Sequence, residues 1–357
     1  MMNHTLNQTP KIELRTSPHI KSGRTVEQIM RNVVWALLPI TAFSVWQYGL
    51  SALLLIVTVT ATCLATERFM NRVMLTGNTL SDWSATITGL LLALTLPPSY
   101  PLWMGVVSGF VGIALGKFLF GGMGFNVFNP ALVGRAFVQA AFPVSISTWT
   151  PAFAPGRFSG LIPTTLTAPL MTPPDIAYWA KHALDGFTGA TPLARWKFEN
   201  VLATPQDFLT GAVTASAGET SAILILLCGG YLAARKFMDW RIPVAVLGSA
   251  ALLALAFHVF SPVRYPEPSF VLLSGGLLLG AVFMATDMAT SPVTPWGVWI
   301  FGGIIGVVTV VIRYFGGLTE GVMYAILFAN SLVPMIDQYT QPRVFGSLSG
   351  QRKGKKA

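Results

Sequence analysis

Long apolar stretches, each close to the length that crosses a lipid bilayer, dominate this sequence from residue 29 onward. A crossing α-helix needs about 20 mostly apolar residues, and fewer where it is broken. The 357 residues are 53% hydrophobic and 10% charged, whereas roughly a quarter of the residues of a soluble domain are charged. We therefore predict an all-α polytopic membrane protein of about ten transmembrane helices, at 29–48, 50–68, 83–97, 102–120, 129–147, 220–236, 241–260, 269–286, 295–314 and 318–338.

Lys and Arg residues gather at the two termini and in the short connections, as is typical of cytoplasmic segments. This pattern predicts cytoplasmic termini in a bacterial inner membrane and places the one long connection in the periplasm. It also explains the net charge of +9, so nucleic acid is not expected as a partner and membrane lipid is. The predicted parts are an N-terminal segment, a first five-helix repeat, a periplasmic loop, a second five-helix repeat and a basic tail, over 1–28, 29–147, 148–219, 220–338 and 339–357.

Proline and glycine residues recur at a nearly constant offset and indicate the internal repeat. Gly109 and Gly112, for example, precede Gly303 and Gly306 by the same number of residues. Five predicted spans separate the copies, so the second copy is expected to be inverted in the membrane. Inverted repeats with helices interrupted by Gly or Pro place a polar site between the halves, near the middle of the membrane.

The long periplasmic connection holds a short Gly- and Thr-rich segment between Asp185 and Pro192. Gly186 and Gly189 allow a tight turn with exposed N–H groups, which suits a phosphate, and Thr191 adds a hydroxyl. From the residues alone, an ordinary surface turn remains the other interpretation. The two cysteines and four histidines are scattered, so neither a disulfide, a metal site nor a catalytic residue is predicted.

Several motifs resemble one family of membrane proteins, which includes the D subunit of the Rnf electron-transport complex and the B subunit of the sodium-translocating NADH:quinone reductase. The chain length favours the Rnf branch. The run from Asp185 to Thr191 is similar to the flavinylation motif D-x-x-[ST]-G-A-T. The resemblance covers nearly the whole chain and includes Ser-Pro-His at 17–19, Gly-Gly-Met-Gly-Phe-Asn-Val-Phe-Asn-Pro at 121–130 and Phe-Met-Ala-Thr-Asp at 283–287.

This resemblance implies a redox subunit of an ion pump. Thr191 would carry FMN through a phosphoester bond formed by a flavin transferase, within a motif completed by Asp185, Thr188, Gly189 and Ala190. The implied partners are the A, B, C, E and G subunits of the Rnf complex, above all the flavinylated G subunit. The complex, rather than this chain alone, would exchange electrons between NADH and ferredoxin and move Na⁺ or H⁺.

The resemblance also implies a second, non-covalent flavin (riboflavin) near the cytoplasmic side, with Asn126 and Asn129 as candidate contacts. If helical, these two asparagines would share one face.

Other polar residues have more than one interpretation. Asn129 followed by proline is also a strong helix-start signal. Asp287 either lies on an ion path or is a loop residue that caps the next helix or faces the cytoplasm. Arg135 would contact a flavin or lipid phosphate or pair with a carboxylate, and Lys117 is expected to snorkel at the inner interface. A channel or secondary transporter of a small solute, with no redox cofactor, is the alternative function.

Overall fold

The computed structural model describes residues 25–75, 79–174, 190–211, 213–219 and 221–342. Within these ranges the regular structure is helical and contains no strand. Helix is present in each of the ten predicted stretches, and we number the principal helices accordingly. They are α1 Val26–Tyr48, α2 Leu50–Val73, α3 Ser84–Thr95, α4 Leu102–Ala114, α5 Pro130–Ala141, α6 Ala222–Ala234, α7 Arg241–Phe260, α8 Pro268–Leu273, α9 Pro295–Phe315 and α10 Val322–Thr340.

Five stretches are long and apolar enough to cross a membrane: α1, α2, α7, α9 and the run that begins with α4 and ends at Phe120. The helices α3 and α6 are apolar but shorter. The structure is therefore that of a polytopic membrane protein, while the full number of crossings stays a prediction.

Two of the predicted spans are interrupted. In 129–147, α5 ends before Pro143, which starts a separate turn of helix at Pro143–Ile146. In 269–286, α8 stops at a break where Gly275 has a φ of 66°, and the helix resumes at Leu277–Leu279 before a π-helical turn. Proline and left-handed glycine each end a helix for a local steric reason.

Helix packing follows a similar pattern in the two halves. In the first half, α2 packs against α3 and α4; in the second, α7 packs against α8 and α9. Likewise, α4 contacts α5 and α9 contacts α10. The two glycine pairs in register do not make equivalent contacts. Gly109 faces α2 while its counterpart Gly303 faces open space, and Gly112 faces α5 while its counterpart Gly306 faces α7. An inverted repeat remains a prediction that this packing suits.

The described parts of the predicted periplasmic loop pack on the end of the bundle where α1 terminates. Gln47 Nε2 donates a hydrogen bond of 2.6 Å to the carbonyl of Gly211, and Arg157 Nε donates one of 2.8 Å to Trp46 O. The carbonyl of Ser99 accepts a hydrogen bond of 2.6 Å from Thr164 Oγ1. The loop is thus tied to the bundle and positions its own residues at this end.

Candidate functional site

Thr191, the expected FMN acceptor, begins a short helix on the loop. It is the N-cap of Pro192–Ala194, and its Oγ1 accepts a hydrogen bond of 3.3 Å from Ala194 N. Pro192 takes the first helical position, where its fixed φ suits a helix and its missing N–H costs nothing. The side chain of Thr191 is only 3% exposed. Ala190 is half-buried, while Asp185, Thr188 and Gly189 lie outside the described residues.

Lys197 fastens this segment to the end of α9. Its ammonium donates hydrogen bonds to the carbonyls of Arg313 and Leu318, both at 3.0 Å, and to that of Gly316. Burial lowers the pKa of Lys197. Cations at a helix C-terminus satisfy its free carbonyls and complement its dipole. The segment that follows Thr191 is therefore held against the second half of the bundle.

A cluster of charged side chains lies beneath Thr191. Pro192 and Glu219 line the same cavity of about 340 Å³. Glu219 accepts a hydrogen bond of 2.8 Å from Ser216 Oγ and is in hydrogen-bonding contact with Glu320. Arg135 from α5 pairs with Glu320 at 2.5 Å. Of the interpretations given for Arg135, the structure thus shows pairing with a carboxylate.

A second buried arginine closes the break after α8. Arg313 of α9 is 1% exposed and donates hydrogen bonds of 2.5 Å to Val271 O and 3.0 Å to Ser274 O. These carbonyls lose their helical partners where α8 stops, so a guanidinium is well suited to them. We predicted no role for Glu219, Glu320 or Arg313 from the sequence. Each is a charged residue beside or within an apolar run, and that position could have indicated a buried charge.

The opposite end of the bundle contains a larger cavity, of about 820 Å³. Four polar residues singled out from the sequence line it, namely Lys117, Asn126, Asn129 and Asp287. Most of the remaining lining is apolar and comes from residues such as Ile29, Val33, Leu91, Leu232, Phe237, Met238 and Phe283. Pockets for small molecules typically combine an apolar lining with a few polar groups.

Asn129 combines two structural roles at this cavity. Its Oδ1 accepts a hydrogen bond of 3.0 Å from Ala131 N, which makes it the N-cap of α5, and Pro130 follows at the first helical position. Its Nδ2 donates a hydrogen bond of 3.1 Å to Met284 O. The helix-start prediction is confirmed. Asn126 lies in an irregular segment before α5 rather than on a helix, so both amides line the cavity without helical spacing between them.

Asp287 organises a turn beside the cavity. It accepts hydrogen bonds from Ala289 N at 3.2 Å and Thr290 Oγ1 at 3.4 Å. Burial raises its pKa, and these two hydrogen bonds partly oppose the shift. The N-cap of α9 is Thr294, so Asp287 does not cap that helix.

The snorkelling prediction for Lys117 is wrong. Lys117 is 3% exposed, and its Nζ lies 2.8 Å from Glu67 Oε1 and 2.7 Å from Ser84 Oγ. Glu67 on α2 is itself fully buried and also accepts a hydrogen bond of 2.5 Å from Thr79 Oγ1. A buried anion in reach gives the ammonium a stronger partner than interfacial water. Glu67, an acidic residue inside an apolar run, was the signal for this partner.

The Thr191 segment and the large cavity lie at opposite ends of α1. Met30 and Val33 line the cavity, whereas Gln47 and Tyr48 contact the loop. At 1.5 Å per residue, Met30 and Gln47 are separated by roughly 26 Å along the helix axis.

Comparison with known proteins identifies the family. The model of the NQR2, RnfD, RnfE family matches residues 13–346. The chain belongs to this family. The resemblance that the sequence motifs indicated is thereby confirmed.

Members of the NQR2, RnfD, RnfE family similar to this chain are named as D subunits of ion-translocating complexes. The D subunit of the proton-translocating ferredoxin:NAD(+) oxidoreductase complex of Clostridium ljungdahlii is 38% identical over 94% of this chain and 96% of its own length. The D subunit of the Na(+)-translocating ferredoxin:NAD(+) oxidoreductase complex of Acetobacterium woodii is 36% identical over 96% of this chain and 98% of its own. The D subunit of the ion-translocating oxidoreductase complex of Halorhodospira halophila is 37% identical over 94% of this chain and 95% of its own length.

Proposed function

We propose that this chain is the D subunit of an ion-translocating Rnf complex and carries FMN on Thr191. It would relay electrons across the bacterial inner membrane as the complex exchanges them between NADH and ferredoxin and moves Na⁺ or H⁺. Family membership and the names of the relatives support the assembly and the reaction. The sequence Thr-Gly-Ala-Thr at 188–191 is the single observation on which the cofactor rests.

The hydrogen bonding of Thr191 is compatible with a phosphoester. Its Oγ1 acts as an acceptor toward Ala194 N, and among the described residues its hydroxyl hydrogen is donated to no acceptor. Esterification replaces that hydrogen and keeps the oxygen. The bound flavin would supply one- and two-electron redox chemistry. The chain's own contribution is to hold that group at one end of the bundle, through the Pro192 turn and the clamp of Lys197 on the end of α9.

The 820 Å³ cavity is the proposed place for riboflavin. The polar edge of a flavin presents both hydrogen-bond donors and acceptors. A side-chain carboxamide suits this edge because its NH₂ group donates hydrogen bonds and its carbonyl oxygen accepts them. Asn126 and Asn129 bring two such groups to a mainly apolar cavity. Asp287 at the same cavity is the proposed cation contact on the ion path. The relatives' names include both a proton- and a Na(+)-translocating complex, so the coupling ion of this chain stays open.

In-gel fluorescence tests the cofactor. The full chain is co-expressed with its host's flavin transferase, denatured in SDS and viewed under ultraviolet light. Wild type should fluoresce and Thr191→Ala should not, whereas Thr210→Ala, an exposed threonine of the same loop, should fluoresce like wild type. Mass spectrometry of the tryptic peptide that ends at Arg195 should show the added FMN. An unmodified peptide would overturn the cofactor assignment and favour the channel or transporter function.

Thiol labelling tests the proposed sidedness. Met171 lies on the loop and is 64% exposed, whereas Met74 lies past the end of α2, at the other end of the bundle, and is 46% exposed. The native Cys63 and Cys228 are buried. In intact spheroplasts, a membrane-impermeant maleimide should label Met171→Cys, and it should label Met74→Cys only after lysis. The reverse result would contradict a periplasmic loop.

A further inference from the structure

The charged cluster beneath Thr191 brings two carboxyl groups together. Glu219 is 8% exposed, and its carboxyl is in hydrogen-bonding contact with that of Glu320. Among the described residues, Glu320 Oε1 is buried and accepts no hydrogen bond from any donor. Two ionised carboxylates in contact would have only acceptor atoms facing each other. A proton on one of them turns this repulsive contact into a hydrogen bond.

The charges around the pair decide which carboxyl holds the proton. Arg135 pairs directly with Glu320 at 2.5 Å, so Glu320 already has a cationic partner. Among the described residues, the side chain that donates a hydrogen bond to Glu219 is the neutral hydroxyl of Ser216, so Glu219 is the protonated member. Desolvation by burial, followed by the charge of Glu320, raises the pKa of Glu219 well above its ordinary value. Among the described residues, the other charged or titratable groups that face this cluster are Tyr48 from α1, Arg313 from α9 and Tyr324 from α10.

The Glu219–Glu320 pair also lies beside the proposed cofactor site. Glu219 and Pro192, the residue after Thr191, line one cavity of about 340 Å³ whose other lining residues are apolar. Apolar surroundings screen charges weakly, so an added charge at Thr191 is felt by the pair more strongly than it would be in water. When Glu219 holds the proton, the positive charges of Arg135 and Arg313 and the negative charge of Glu320 give the cluster a net charge of +1. That charge is complementary to an anionic group at Thr191.

We propose that Glu219 and Glu320 form a proton-binding site that holds one shared proton at neutral pH, and that this proton and an electron at the Thr191 cofactor stabilise each other. The second half rests on the proposed function, which supplies the electron from the complex's donor, while the proton comes from water at the outer face. Each electron adds one negative charge and the retained proton offsets it. Because such coupling is reciprocal, proton loss from the pair lowers the electron affinity of the cofactor.

Infrared spectroscopy tests the proton site without any cofactor. Thr191→Ala protein in nanodiscs is titrated from pH 7 upward, and the carbonyl stretch of protonated carboxylic acids is followed with its shift in D₂O. The parent should lose one such band on titration, and Glu219→Gln should lack that band at pH 7. Glu267→Gln, an exposed carboxylate near the start of α8, should behave like the parent. Absence of the band from the parent, or its persistence in Glu219→Gln, would overturn the site.

A second variant guards against a folding failure of Glu219→Gln. In Glu320→Gln the repulsion is gone and Arg135 is free to pair with Glu219. The carboxyl band should therefore titrate at lower pH than in the parent. An unchanged titration would contradict the shared proton, whichever way the first variant behaves.

A redox titration of the flavinylated chain, followed by flavin absorbance, tests the coupling. Because flavin reduction takes up protons of its own, the midpoint potential of the variant should also depend on pH. In wild type it should fall more steeply than in Glu219→Gln through the pH range in which the infrared band disappears. Equal slopes in wild type and Glu219→Gln over that range would overturn the coupling. A chain with no flavin on Thr191 would refute the proposed function instead, and the infrared result would still decide the proton site.

Discussion

Replacing Lys117 removes one member of a fully enclosed ion pair. The ammonium and the Glu67 carboxylate are 3% and 0% exposed and stand 2.8 Å apart. At that distance two unit charges attract by roughly 6 kcal/mol with an effective dielectric constant of about 20. Removal of one partner leaves the other buried and uncompensated, which costs about 3–5 kcal/mol. Lys117→Met and Glu67→Leu should therefore each lower the folding equilibrium constant at least a hundredfold.

The double variant separates a buried pair from two independent contacts. Lys117→Met combined with Glu67→Leu leaves no charge behind and should recover most of the lost stability. Stability is measured by SDS titration in mixed micelles, followed by far-ultraviolet circular dichroism. Arg72→Met, an exposed cation near the end of α2, should change stability by no more than about 0.5 kcal/mol. Single variants that lose less than about 1 kcal/mol, or a double variant whose loss equals their sum, would refute the reasoning.

Three further predictions use the same protein in detergent. Gly306→Ala should cost about 1–3 kcal/mol because a Cβ there overlaps α7, whereas Gly303→Ala, which faces open space, should be neutral or slightly stabilising in SDS titration. Lys197→Met should speed proteolysis of the 190–199 segment, measured by gel, because three helix-end carbonyls lose their donor. Burial raises the pKa of Glu219, so its stabilising contribution should be lost as pH rises above the ordinary 4.5, and Glu219→Gln should flatten that slope.

The apolar pattern was sufficient to locate the helices, because each needs a long run of apolar residues. Local signals also worked where the chemistry is local, as with Asn129 and Pro130 at the start of α5. The interruptions were harder to place. The broken helix after α8 depends on Gly275 at positive φ and on Arg313, some forty residues later in the chain, which satisfies the freed carbonyls.

The sequence could not pair the buried charges. Lys117 meets Glu67, and Arg135 meets Glu320, only because distant helices bring them together. From the sequence, each of these residues is expected at a membrane interface or in a loop, because no residue of opposite charge close to it along the chain indicates an ion pair. Asn126 lines the cavity, but not through the helical spacing considered from the sequence, because it lies in an irregular segment before α5.

The two charged clusters stand at the two ends of α3, and this arrangement constrains how an ion could cross. Lys117 contacts Ser84 at the start of that helix, and Arg135 contacts Thr95 at its end, roughly 16 Å away along the axis. Between them, α3 contributes the buried run 90–94, which is entirely Leu and Ala.

A bare cation in such surroundings costs several kcal/mol or more, so the run 90–94 of α3 offers no polar route from one cluster to the other. If the proposed ion path passes α3, it requires a rearrangement that separates α3 from its neighbours; the alternative is a path along the boundary with another subunit of the proposed complex. A substitution within the apolar run 90–94 distinguishes these two routes. A polar substitution such as Leu92→Asn should alter ion coupling if the path opens beside α3, and should affect only stability if the ion crosses at a subunit boundary.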